Sequence, residues 1–79
     1  MSQTTSIRTL IHRGQAVLVE HGVPNARRNA EWMLCDALGC SVLDLYTKTE
    51  APVGERVDVY WHHVRRRCAR EPLQRILGT

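Results

Sequence analysis

Cysteine, histidine and arginine are the residue types in this 79-residue sequence whose chemistry could define a function. The three cysteines have no repeated spacing, and Cys35 and Cys40 lie on either side of Gly39, a residue type that commonly ends helices. His62 and His63 are adjacent, so on a helix their side chains point about 100° apart rather than towards one metal ion. The spacing therefore argues against a metal centre, and we expect reduced thiols.

The densest charge in the chain is the run of arginines from Arg65 to Arg67, with Arg70 close behind. Consecutive arginines on a helix spread around its circumference, so the simplest interpretation is a solvated face with ion pairs. A patch that binds an acidic partner and a contact with nucleic acid remain as alternatives. Nucleic-acid binding has less support, because such surfaces usually collect more basic residues on one face and the net charge is only +3.

The sequence contains no arrangement typical of catalysis or of nucleotide binding. The five glycines are scattered, and none belongs to a G-x-G-x-x-G or P-loop pattern that would surround a phosphate. Serine, cysteine and histidine form no local set of nucleophile and base. Because the chain also lacks a signal-peptide pattern and a run of about 18 apolar residues, we expect a cytoplasmic protein outside the membrane.

Apolar residues recur with helical spacing, and no segment alternates as a strand does. The pattern predicts a first helix capped by Thr5 or Ser6 and a second helix that runs from an Asn25 cap to Gly39. Gly14 lies on the apolar face of the first helix, where a missing side chain favours close approach by another helix. The predicted inner faces are Ile7, Leu10, Ile11, Gly14, Val17, Leu18 and His21, followed by Ala26, Ala30, Met33, Leu34, Ala37 and Leu38.

Two further helices are predicted in the second half of the chain. Ser41 and Asp44 have capping-box spacing and open a short third helix, and a fourth helix ends before Pro72. The polar stretch TKTEAPVGE connects them. The fold class is therefore a small all-α bundle of about four to five helices with a C-terminal linker segment. The predicted inner residues are Val42, Leu45 and Tyr46 in the third helix and Val57, Tyr60, Trp61, Val64 and Cys68 in the fourth.

Three stretches resemble the release factor glutamine methyltransferases, the HemK/PrmC family. The middle one is SVLDLYTKTEAPV, in which Leu45 and Tyr46 precede a loop that contains proline. HGVPNARRNAEWMLCDALG is similar to the family's first segments, and RRRCAREPLQRILG is similar to its Glu-Pro-Leu-Gln-Tyr-Ile-Leu-Gly segment, with Arg75 in place of the usual Tyr. The matching positions are Gly22, Val23, Arg27, Ala30, Glu31, Leu34, Leu38, Gly39, Leu45, Tyr46, Arg67, Glu71, Pro72, Leu73, Gln74, Ile76, Leu77 and Gly78.

The resemblance implies that residues 1–71 form a helical substrate-recognition domain and that residues 72–79 begin a linker, entering a hairpin, to a methyltransferase domain. The family's glycine-rich S-adenosylmethionine loop and its Asn-Pro-Pro-Tyr motif belong to that other domain, and neither occurs here. We therefore expect no cofactor and no catalysis in this chain, with S-adenosylmethionine used by the full-length enzyme. That enzyme would methylate the glutamine of the Gly-Gly-Gln motif in peptide chain release factors.

The implied partner of this chain is a peptide chain release factor, which the helical domain would help to hold. We expect Arg27, Arg28, Arg66 and Arg67 to contact an acidic surface of that partner, and we expect the chain itself to be a monomer. One alternative is a free-standing nucleic-acid-binding module that uses Arg65 to Arg67 and Arg70. The other is a scaffold domain that supports the catalytic half and touches no substrate.

Overall fold

The computed structural model describes residues 5–48 and 52–78 of the chain. Within these residues the protein has five helices and two strands of two residues each, and the prediction of a small all-α bundle is confirmed. None of the described helices has the length and hydropathy needed to cross a membrane. The elements in chain order are β1 (Thr5–Ser6), α1 (Ile7–Glu20), α2 (Ala26–Leu38), α3 (Val42–Thr47), β2 (Pro52–Val53), α4 (Val57–Cys68) and α5 (Leu73–Leu77).

Helices α1, α2 and α4 pack against one another around a single core, and α3 packs against α2. Strands β1 and β2 pair antiparallel, with Thr5 opposite Val53. This pairing joins the start of α1 to the connection between α3 and α4, of which residues 49–51 lie outside the described residues. The largest fully buried side chains are Leu10, Leu18, Met33, Leu34, Leu45, Tyr60 and Val64.

Gly14 allows α4 to approach α1, as its place on the apolar face predicted. A Cβ atom on Gly14 would lie 1.8 Å from the hydroxyl oxygen of Tyr60 and 2.8 Å from its Cζ atom. Tyr60 is completely buried, and its hydroxyl donates a hydrogen bond to the carbonyl oxygen of Leu10 at 2.8 Å. Burial raises the pKa of the Tyr60 hydroxyl well above its usual value, so this group remains a neutral donor.

Three predicted helix boundaries are formed by the expected residues. The Ser6 hydroxyl accepts a hydrogen bond from the backbone N–H of Thr9 at 3.3 Å, which caps α1. Ser41 and Asp44 form a complete capping box at the start of α3, with each side chain accepting from the other residue's backbone N–H. Gly39 ends α2 in the left-handed conformation, with φ of 68°.

The start of α2 differs from the prediction, because Asn25 does not cap this helix through its side chain. Its backbone is left-handed, with φ of 53°, and its side chain makes no capping hydrogen bond. The side chain of Asn29 holds this turn instead, donating to the carbonyl oxygens of Asn25 at 3.0 Å and Pro24 at 3.4 Å. These hydrogen bonds fix the turn before α2 but do not cap the helix, because a cap side chain would accept from the free backbone N–H groups of the first turn.

Helix α4 ends at an arginine in a conformation that favours glycine. Arg70 has a φ of 73°, and a left-handed backbone costs an L-residue about 1–2 kcal/mol. Two backbone hydrogen bonds close the turn, from the N–H of Arg70 to the carbonyl of Arg67 and from that of Glu71 to the carbonyl of Arg66. The helix thus stops ahead of Pro72, as predicted.

The stretch expected to enter a hairpin is helical instead. Leu73–Leu77 form α5, which contacts α4 and α2, and Ile76 is buried. Leu73 and Leu77 are half-buried and pack against the core. These contacts explain the apolar residues near the end of the sequence, whereas the domain boundary at residue 71 stays a prediction.

Two residues predicted to point inward are exposed. His21 lies at the end of α1, where its Nδ1 atom is 2.9 Å from the carbonyl oxygen of Val17. Tyr46 on α3 is 55% exposed. Three polar residues are buried although the sequence pattern does not predict it, namely Asn29, Glu31 and His63.

Candidate partner-binding surface

The four arginines predicted to bind a partner fall into two pairs on different helices. Arg27 and Arg28 lie in the first turn of α2 and are exposed, whereas Arg66 and Arg67 lie in the last turn of α4 and are half-buried. The positive end of the helix dipole is at the start of α2, so each arginine there is disfavoured by about 0.3–1 kcal/mol. The last turn of α4 is a favourable place for cations for the same reason.

Arg66 forms an ion pair within the chain. Its guanidinium donates to both carboxylate oxygens of Glu71, with Nε 3.1 Å from Oε1 and Nη2 bonded to Oε2. The hydrogen bonds from Arg66 lower the pKa of the Glu71 carboxyl group, and the same bonds raise the pKa of Arg66. This two-pronged contact joins the end of α4 to the segment that leads into α5.

Arg67 connects α4 to α2. Its Nε atom donates to the side-chain oxygen of Asn29 at 2.9 Å, and its Nη1 atom donates to the backbone carbonyl of Glu71 at 3.3 Å. These contacts within the chain give Arg66 and Arg67 a structural role that requires no partner protein. Their role in binding, which the sequence suggested, stays a prediction.

A buried carboxylate links α2 to α3 beside Arg27. The Oε2 atom of Glu31 accepts a hydrogen bond from Nε of Arg27 at 3.2 Å and from the hydroxyl of Tyr46 at 2.7 Å. The bond to Glu31 raises the pKa of the Tyr46 hydroxyl, which therefore stays protonated at neutral pH. Tyr46 is exposed because its hydroxyl reaches this carboxylate from the surface while its ring remains in contact with solvent.

Arg28 is held against an exposed indole ring. Its guanidinium carbon lies 5.9 Å from the ring centroid of Trp32, one helical turn further along α2, which is within cation–π distance. Trp32 is 42% exposed. Arg28 forms no ion pair with any residue in the described part of the chain, in contrast to Arg27 and Arg66.

Two adjoining cavities share Arg27 and Tyr46, and we call them together the basic groove. The first has a volume of about 350 Å³ and lies between α1, α2 and α3, and the second has a volume of about 400 Å³ at the start of α2. The groove brings together basic and aromatic residues that are far apart in the sequence. Its lining residues are Arg8, Ile11, His12, Asn25, Arg27, Arg28, Glu31, Leu45 and Tyr46.

The remaining residues considered for catalysis or metal binding are His63 and the three cysteines. His63 is buried, and its Nε2 atom lies 2.8 Å from Oδ2 of Asp36. Burial raises the pKa of the Cys35 thiol to about 11, so this group is a poor nucleophile at neutral pH. All three cysteines are unpaired, and across residues 5–48 and 52–78 no three histidine, cysteine or acidic side chains cluster as metal ligands would.

The fold and this surface define a small helical domain whose polar side chains join helices or line an open groove. The family model of the PrmC N-terminal domain matches residues 9–78, and the chain therefore belongs to that family. The resemblance that the sequence motifs suggested is thus confirmed.

A curated relative agrees with this assignment. The chain is 41% identical over 75 residues to the release factor glutamine methyltransferase of Geobacter sulfurreducens. The alignment covers 94% of this chain and 26% of that protein, so the chain spans about a quarter of the relative's length. No solved structure matches the chain significantly.

Proposed function

We propose that this chain is the substrate-recognition domain of a release factor glutamine methyltransferase. In this proposal it binds a peptide chain release factor and brings the glutamine of the Gly-Gly-Gln motif to an active site in another domain. The observation that carries the proposal is membership of the PrmC N-terminal domain family over residues 9–78. The name of the Geobacter relative supports the same partner.

Recognition by a separate domain has a clear physical use in such a reaction. Binding energy gained far from the reacting atom can offset the entropy lost when two large molecules are oriented. The glutamine side chain to be methylated is small, so much of the selection for a release factor would rest on contacts elsewhere on that protein. S-adenosylmethionine would supply the methyl group in the catalytic domain.

The nucleic-acid alternative receives less support from the geometry. Of the three arginines in its cluster, Arg66 and Arg67 direct hydrogen bonds to Glu71 and Asn29. Arg65 is exposed. Arg70 is exposed as well. Two solvated arginines are still a small basis for phosphate contact, since each neutralised phosphate requires a cation of its own.

Isothermal titration of this chain with a purified release factor tests the proposal. We expect saturable binding with a stoichiometry of one. A release factor in which the motif glutamine is replaced by alanine should bind equally well, because that side chain would contact the catalytic domain. Absence of binding would favour the scaffold alternative, and loss of binding with the alanine variant would place the motif itself on this domain.

A further inference from the structure

The basic groove combines three features of a recognition site for an acidic protein segment. From its charge, its exposed aromatic rings and an arginine without an ion-pair partner among the described residues, we infer that the groove binds an acidic segment of the partner. A carboxylate of that segment contacts Arg28, and apolar side chains near it pack on Tyr46, which lines the groove, and on Trp32, which borders the groove beside Arg28. The inference rests on the proposed function, in which the partner is a release factor.

The charge of the groove is the first step in the argument. Among the described lining residues, the charges of Arg27 and Glu31 offset each other as an ion pair, which leaves the charge of Arg28 facing a ligand. Glu31 is buried and already accepts hydrogen bonds from Arg27 and Tyr46, so it offers little negative field to a ligand. The start of α2 adds the positive potential of a helix N-terminus to the same surface. An acidic segment therefore complements the groove.

The side chain of Arg28 is suited to bind a carboxylate. Its guanidinium forms no ion pair with a described residue, and the ring of Trp32 restricts its orientation. An arginine that is already oriented loses less conformational freedom when it forms a two-pronged contact with a carboxylate. The neighbouring Arg27 differs, because its Nε atom is committed to Glu31.

Tyr46 lines the groove, and the exposed ring of Trp32 borders it through the contact with Arg28. Trp32 and Tyr46 are 42% and 55% exposed, so much of each ring is available to a partner. Tryptophan, tyrosine and arginine are the residues that most often dominate the energy of protein interfaces. The groove thus favours an acidic protein segment over a nucleic-acid backbone, whose regularly spaced phosphates require a longer row of cations.

The test compares two charge reversals in the 79-residue chain, Arg28→Glu in the groove and Arg65→Glu on α4. Both arginines are exposed, and neither forms an ion pair with a described residue. The two substitutions also change the net charge by the same amount. A glutamate in the first turn of α2 is favoured by the helix dipole, and circular dichroism checks that both variants fold. Affinity for the purified release factor is measured by titration at about 50 and 500 mM salt, on either side of the physiological range.

We expect Arg28→Glu to weaken binding about tenfold or more at low salt and clearly less at high salt, where the contact is screened. Arg65→Glu should bind within about twofold of the unaltered chain, as rim charges far from a contact change affinity little. Trp32→Ala should weaken binding about tenfold at both salt concentrations, because the contact it removes is apolar.

The possible results separate this inference from the proposed function. Equal effects of Arg28→Glu and Arg65→Glu would overturn the groove as the binding site and leave recognition of the release factor standing. If the unaltered chain does not bind the release factor, the proposed function and this inference both fail. A single-stranded RNA oligonucleotide is titrated in parallel. RNA binding that is lost in Arg28→Glu, without binding of the release factor, would assign the groove to nucleic acid instead.

Discussion

Replacing Gly14 by alanine should destabilise the protein strongly, although alanine is the better helix former. The new Cβ atom would lie 1.8 Å from the hydroxyl oxygen of Tyr60, which is fully buried and cannot move into solvent. Moving Tyr60 away breaks its hydrogen bond to Leu10, at a cost of about 1–3 kcal/mol, and overpacking adds about 1–3 kcal/mol. The higher helix propensity of alanine stabilises the protein by about 1 kcal/mol.

The net loss in the free energy of unfolding should therefore be about 1–5 kcal/mol. This is a large share of the stability of a 79-residue domain, which at typical values per residue is about 4–12 kcal/mol. Urea denaturation followed by circular dichroism measures the difference. Gly54→Ala is the matched control, because a Cβ atom on Gly54 has no neighbour within 4 Å and its backbone is not left-handed. We expect the control to be neutral or stabilised by about 0.4–1 kcal/mol.

A double-mutant cycle shows whether Tyr60 is the cause. Tyr60→Phe removes the hydroxyl that the alanine would meet, so the combined variant should lose at least about 1 kcal/mol less than the sum of the single losses. Gly14→Ala with unchanged or increased stability, or a cycle without coupling between the two sites, would refute the proposed contact between α1 and α4.

Three further changes test other parts of the structure. Arg70→Gly should stabilise the protein by about 0.5–1 kcal/mol in urea denaturation, since it relieves the left-handed backbone, and a loss would contradict this account of the helix end. Asn29→Ala should cost about 1–3 kcal/mol, because Arg67 and the turn before α2 lose their partner, and a neutral result would show that these contacts do not stabilise the fold. Glu71→Gln should lower the melting temperature at pH 7. The hydrogen bonds from Arg66 hold the folded pKa of the Glu71 carboxyl group below its usual value, so the difference from the unaltered chain should shrink as the pH falls through the range in which Glu71 becomes protonated, and a difference that does not change with pH would exclude the ion pair with Arg66.

Local signals in the sequence predicted most of the fold. The capping box of Ser41 and Asp44, the glycine that ends α2 and the spacing of apolar residues each depend on neighbours within one or two turns. Gly14 was placed correctly on a helix contact because glycine on an apolar face has a direct steric meaning. The short α3 was harder, since six residues make too little of a face to decide whether Tyr46 is inside.

The polar part of the structure was not predictable in the same way. Asn29 and His63 are buried and have side-chain partners 38 and 27 residues away, and no local pattern shows such a pairing. The basic groove requires α1, α2 and α3 to meet, which the sequence does not specify directly. Two of the contacts could be predicted from the sequence. Arg27 and Glu31 have the i, i+4 spacing of a helical ion pair, and Glu71 follows Arg66 by five residues across the end of the helix.

The polar contacts of α4 have a consequence for how the chain reaches its folded state. Tyr60, His63 and Arg67 lie at positions i, i+3 and i+7 of one stripe, and their partners are 50, 27 and 38 residues earlier in the chain. A slip of α4 by one turn, about 5.4 Å, would separate all three pairs at once and leave buried groups without partners. Closing the first of these long loops costs most of the entropy needed for the other two. Helix α4 is therefore expected to dock in one register and in a single cooperative step, after the hairpin of α1 and α2 has formed.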